Sequence, residues 1–78
     1  MEFTWNLGKN SKLKEERGVS FEQVVRCILA GNFKILDNAS VNHPGQDVFV
    51  VSINRTVWLV PFRKTKRGYF LHTIMKQG

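Results

Sequence analysis

Arg63, Lys64, Lys66 and Arg67 fall within five residues, with Tyr69 just beyond and no acid among them. Guanidinium and ammonium groups at that density serve one chemistry above others, the binding of phosphate or another polyanion. The rest of the charge agrees. Residues 1–47 hold six bases and six acids, whereas residues 48–78 hold Arg55, Arg63, Lys64, Lys66, Arg67 and Lys76 with no acid, so the whole net charge of +6 lies in the second half. With a pI near 10.0, a polyanion is the expected partner, and nucleic acid is favoured over membrane because no basic amphipathic helix is evident. His43 and His72 are the two side chains that titrate near neutrality. Asp37, Asp47 and Glu22 are scattered, so no acidic cluster suggests a metal.

These residues need a scaffold, and the stretch Thr56 to Lys76 supplies it. Thr56–Arg63 and Tyr69–Met75 are rich in β-branched and aromatic residues. The polar connection Lys64-Thr65-Lys66-Arg67-Gly68 makes them a hairpin with a basic turn. Upstream, Glu2–Trp5 reads as a short edge strand with Phe3 and Trp5 on one face. Asn6 caps a first helix, Leu7–Arg17, anchored by Leu7 and Leu13 and closed by Gly18. Ser20 to Gln23 is a capping box that opens a second helix, whose apolar stripe is Phe21, Val24, Val25 and Ile28. A strand is expected over 32–37, with a turn at Pro44-Gly45, and another over 47–53. Asn54-Arg55 is a candidate two-residue hairpin turn.

Seventy-eight residues make one small α+β domain with two N-terminal helices on one face of an antiparallel meander, in the order β-α-α-β-β-β-β. The single cysteine, Cys27, excludes an internal disulfide and fits a reducing cytoplasm. The N-terminus lacks an apolar leader core, and no segment approaches membrane-spanning length.

Pairing Ile53 with Thr56 and Phe62 with Phe70 assigns the two faces of the sheet. One carries Phe49, Val51, Ile53, Trp58, Val60, Phe62, Phe70, His72 and Ile74 and should lie under the helices. The other carries Val48, Val50, Leu59, Pro61, Arg63, Tyr69, Leu71 and Met75, an apolar surface rimmed by charge and expected to stay partly open. In this register Arg63 and Tyr69 face each other and His72 points to the core. A one-residue slip would carry His72 to the other side.

The ordered set Phe3-x-Trp5-Asn6-x-x-Lys9-Asn10, Gly18-Val19-Ser20-Phe21-Glu22, His43-Pro44-Gly45-Gln46, Val60-Pro61-Phe62 and Phe70-Leu71-His72-Thr73-Ile74 resembles the BrnT-type toxins of bacterial type II toxin–antitoxin systems. One departure stands near the end, where the family's last strand runs into a Ser-Arg-Lys-like segment and this sequence reads Lys76-Gln77-Gly78. The resemblance implies a RelE-like fold and a ribonuclease that stops translation, acting on RNA, alone or on the ribosome. It also implies a small antitoxin, often of ribbon-helix-helix type, that neutralises the toxin and through which the complex binds operator DNA. No cofactor is implied.

Cleavage at a 2′-OH needs a base, an acid and cations for the charge on phosphorus. Arg63 is the candidate phosphate clamp, and Tyr69 could stack a base or move a proton. His43 and His72 are candidate general bases, with loop bracing and a core position as their plain alternatives. Lys64, Lys66 and Arg67 would hold RNA phosphates, with Lys9, Lys12 and Arg55 as flanking contacts; a solvated surface is the alternative for each. A non-catalytic RNA- or DNA-binding module, or a protein-interaction domain, would fit the same basic sheet.

Overall fold

A computed structural model describes residues 2–36 and 47–77. The expected turn at Pro44-Gly45 and His43 lie outside that range. The elements run β1 (Glu2–Thr4), α1 (Leu7–Arg17), α2 (Phe21–Leu29), β2 (Lys34–Leu36), β3 (Asp47–Ile53), β4 (Thr56–Lys64), β5 (Gly68–Leu71) and β6 (Met75–Lys76). The architecture is α+β, with both helices on one face of a sheet ordered β1-β5-β4-β3-β2, and β6 pairs with β4 beyond the end of β5. All pairings are antiparallel but one: β1 runs parallel to β5. Among the described residues no helix is long and apolar enough to cross a membrane.

The helices form where the sequence signals them. The Asn6 side chain accepts a hydrogen bond from the Lys9 N–H (2.9 Å), and Gly18 closes α1 with φ 69°. The Ser20–Gln23 capping box is complete, each side chain bonded to the other residue's backbone N–H. Phe21, Val24 and Ile28 are buried along one stripe of α2. Leu13 is buried, but Leu7 is 77% exposed, so it does not anchor α1. A side chain that sequence reading passed over does much of that work. Asn10 is buried; its Oδ1 accepts from the Phe21 N–H (2.8 Å) and its Nδ2 donates to Glu22 Oε1 (2.7 Å). The Asn10 amide therefore satisfies one orphan donor at the start of α2 and welds the two helices. The same bond is the largest reason why the Glu22 carboxyl is held below the usual glutamate range, with Lys14 at 3.7 Å adding to it.

The β3–β4 hairpin has the expected register, Ile53 opposite Thr56. Asn54 and Arg55 have φ of 53° and 66°, as a type I′ turn requires at both central positions. The last hairpin departs from expectation. Phe62 pairs with Leu71, not with Phe70, and farther along Leu59 pairs with Met75. Between those rungs β4 has two residues, Val60 and Pro61, and the returning chain has three, His72, Thr73 and Ile74. The extra residue is a bulge, and it changes the parity of the strand. Leu71 and Ile74, three apart, can thus both be fully buried.

Pro61 explains where the bulge sits. In an antiparallel strand a residue's N–H and C=O point to the same neighbour. The Pro61 carbonyl accepts from the His72 N–H (2.8 Å), so its missing donor is aimed at the bulge. A proline is tolerated in this central strand because the ladder is already interrupted opposite it.

The core joins Leu13, Val19 and the α2 stripe to Phe49, Val51, Ile53, Trp58, Val60, Phe62, Leu71 and Ile74. Cys27 and Trp5 pack at its margin, Trp5 stacked on Phe21 with ring centroids 5.6 Å apart. The far face is less open than the alternation implies: Val48 and Pro61 are buried there.

Two substitutions test this construction. A Cβ on Gly68 would overlap the backbone carbonyl of Glu2 across the β1–β5 pairing. Gly68→Ala should therefore displace β1 and lower stability by about 2 kcal/mol in urea titration. Arg55→Gly should raise stability by about 1 kcal/mol in the same measurement, because a non-glycine residue in the left-handed region is strained.

Candidate nucleic-acid interface

The basic turn is tighter than its five polar residues suggest. The Thr65 N–H donates to the Gly68 carbonyl (2.8 Å), and the Gly68 N–H donates to Thr65 Oγ1 (3.1 Å). Lys66 and Arg67 are left at the tip. The Glu2 N–H donates to the Arg67 carbonyl (3.1 Å), so β1 braces the turn from the side. Gly68 is needed there for the close approach of Glu2. Arg63, Lys64, Lys66 and Arg67 are all exposed. Lys64, Thr65, Arg67, Gly68 and Tyr69 line a shallow, open recess of about 340 Å³. Two acids reach this end of the sheet in register, Glu2 opposite Gly68 and Asp47 opposite Phe62, and the four cations outnumber them.

The bulge redistributes the candidate residues between the faces. Arg63 stands opposite Phe70, and Tyr69 stands opposite Lys64. Arg63 and Tyr69 therefore do not face each other, contrary to the register expected from the sequence. Tyr69 lies on the helix side, stacked on Phe3 at 5.6 Å and edge-on to Phe62 at 5.3 Å and Phe49 at 5.7 Å. Its ring is part of the core margin.

His72 moves the other way. It leaves the helix side and joins Arg63 on the far face, through Phe70. The Arg63 guanidinium carbon sits 5.0 Å from the Phe70 ring centroid, and the Phe70 and His72 rings meet edge-on at 5.1 Å. A guanidinium, an aromatic ring and an imidazole thus form one strip that ends at the basic turn. Such a strip can clamp a phosphate and offer a surface to a base, and it can exchange a proton where the His72 ring turns its buried Nε2 outward. Phe70 was expected in the core, so its place in the strip was missed; Pro61, a proline within a central strand, is the signal that could have exposed it.

The flanking candidates separate. Lys9 Nζ donates to the His72 carbonyl (3.2 Å), and Arg17 Nη1 donates to the Ile74 carbonyl. Both side chains reach carbonyls at the bulge, and Lys9, itself exposed on α1, makes its contact there and not at the basic turn. Lys12 is exposed on α1. Arg55 lies just beyond the opposite end of β4, a strand that spans roughly 26 Å from Thr56 to Lys64, and does not join the cluster. Among the described residues no group of three His, Cys, Asp or Glu side chains could hold a metal ion.

No family model, curated protein or solved structure matches the chain.

If Arg63, Lys64, Lys66 and Arg67 each neutralise one phosphate, binding of a single-stranded RNA oligonucleotide should weaken with salt at a log–log slope of about −2.8. The double variant Lys66→Ala/Arg67→Ala should reduce that slope by about 1.4, as read by fluorescence anisotropy across a salt series.

Proposed function

We propose that this chain is a RelE-like toxin of a toxin–antitoxin pair, a metal-independent endoribonuclease that stops translation and is held in check by a small antitoxin. One observation carries the reading: Arg63, Phe70 and His72 form a continuous strip beside three further exposed cations, Lys64, Lys66 and Arg67. The resemblance to the BrnT-type toxins supplies the cleavage chemistry. Lys64, Lys66 and Arg67 hold flanking phosphates without reading sequence. Phe70 offers a face or edge to a base. His72 takes the proton from a ribose 2′-OH, whose oxygen then bonds to the adjacent phosphorus. Arg63 stabilises the charge that develops on the phosphoryl oxygens. The 5′-oxygen leaves and takes up a proton from water, and a 2′,3′-cyclic phosphate remains.

A second reading is favoured by one feature of the strip. In-line cleavage uses a base and an acid, and the strip offers a single imidazole while Tyr69 is turned to the helix side. A module of this shape that binds RNA without cutting it has the same phosphate contacts and needs no acid.

Inducible expression in bacteria separates the two. Wild type should arrest growth and fragment bulk RNA. Arg63→Ala should cut the cleavage rate of the purified protein by about 10²-fold, and His72→Gln by about 10²-fold or more, with circular dichroism confirming that each variant folds. RNA retention in a shift assay with no fragmentation and no growth arrest would assign the binding reading instead.

A further inference from the structure

The helix side of the sheet is covered only in part. Phe49 is buried beneath α2, but toward the edge Leu29 is 70% exposed, Ile35 49% and Phe33 37%. Together with Ile28 and Tyr69 these residues line a cleft of about 210 Å³. Its lining is almost wholly apolar; the Tyr69 hydroxyl is the one polar side-chain group among the lining residues. That volume suits one or two leucine-sized side chains. A nucleobase would find almost no partner for its polar edges.

Tyr69 is also a wall of the recess formed by Lys64 and Arg67. Cleft and recess are therefore neighbours on one side of the sheet, apolar at the α2–β2 end and cationic at the turn. Arg63 and His72 lie on the other side. Among the described residues β2 pairs with β3 alone, so the cleft opens onto a sheet edge. Isolated exposed apolar residues are ordinary, but a cleft with an adjoining cation pair has a direction.

We propose that this groove docks an acidic, amphipathic segment of a partner protein, with leucine-like side chains in the cleft bounded by Leu29, Phe33 and Ile35 and carboxylates on Lys64 and Arg67. The charge complementarity selects the occupant. The recess presents two cations and no carboxylate side chain, and the apolar lining rejects a polyanion that lacks greasy side chains. The inference concerns a different face from the Arg63 strip and does not depend on RNA cleavage.

The test uses the full chain and a fluorescein-labelled peptide of twelve residues alternating leucine with glutamate. A second peptide replaces each leucine with serine at unchanged charge. The leucine peptide should bind at least ten-fold more tightly than the serine peptide. Leu29→Glu, at a highly exposed position, should weaken it ten-fold or more, and Lys64→Glu should do the same. Arg63→Ala should leave peptide binding unchanged, and Leu29→Glu should leave RNA-oligonucleotide binding unchanged. Equal binding of the two peptides would overturn the proposal, as would indifference to Leu29→Glu. Concentration-dependent self-association of the chain, abolished by Leu29→Glu and with no peptide bound, would give the cleft to a second copy and overturn it too. Loss of RNA binding or cleavage in wild type with peptide binding intact would strike the ribonuclease reading alone.

Discussion

One extra residue in the returning strand decides which side chains this protein shows to water. Between the Phe62–Leu71 rung and the Leu59–Met75 rung, three residues answer two. A strand's faces alternate, so the shift exchanges the two sides of the returning strand from Tyr69 to His72. Without it, Leu71 and Ile74 could not share the core, and Phe70 and His72 would be driven beneath the helices. The bulge is held from both flanks. Pro61 accepts from the His72 N–H and has no donor to misplace, while Lys9 and Arg17 reach from α1 to the carbonyls of His72 and Ile74. Carbonyls released from a ladder must find partners, and here two cations meet them.

That arrangement sorts seven of the twelve bases into two kinds. Lys9 and Arg17 are spent on backbone carbonyls, and Lys14 faces Glu22. Arg63 lies over a ring, and Lys64, Lys66 and Arg67 extend from a turn whose backbone is closed on itself. A composition count treats all of these alike. Of these seven, the second kind is the one held toward a phosphate or a carboxylate from outside, and it is concentrated at one end of β4, while Lys12, Arg26, Lys34, Arg55 and Lys76 are exposed elsewhere. The rigidity of the turn adds to its use, because charges fixed by a braced backbone lose less freedom when an anion binds.

Much of the scaffold was legible because its signals are local. The Asn6 cap, the Ser20–Gln23 box, Gly18 and the Asn54-Arg55 turn each act within a few residues, and each stands where the sequence puts it. The candidate site was less legible because its geometry depends on register over a long hairpin. Phe70-Leu71-His72-Thr73-Ile74 alternates acceptably in either of two registers, and no short-range rule favours the bulged one. Pro61 held the clue, since a proline in a central strand asks for an interruption opposite it. Asn10 was missed for another reason: a polar residue inside a solvated helix gives no sign that its amide caps the next helix. Leu7, an apolar residue left 77% exposed, shows the converse error of treating every leucine as an anchor.

The two proposed surfaces meet at the same turn, and this has a thermodynamic consequence. Arg63 serves the far face, whereas Lys64 and Arg67 border the helix-side recess, yet all three project from a few consecutive residues. A carboxylate seated on Lys64 or Arg67 lowers the local positive potential that an RNA phosphate would feel within a Debye length, about 8 Å at physiological salt. The coupling between an acidic segment and RNA is then unfavourable, and by linkage it is equal in both directions. A partner need not cover the Arg63 strip to weaken RNA binding. It needs only to neutralise the shared turn, and the apolar cleft beside Tyr69 would hold it there with an affinity that salt weakens less than it weakens RNA.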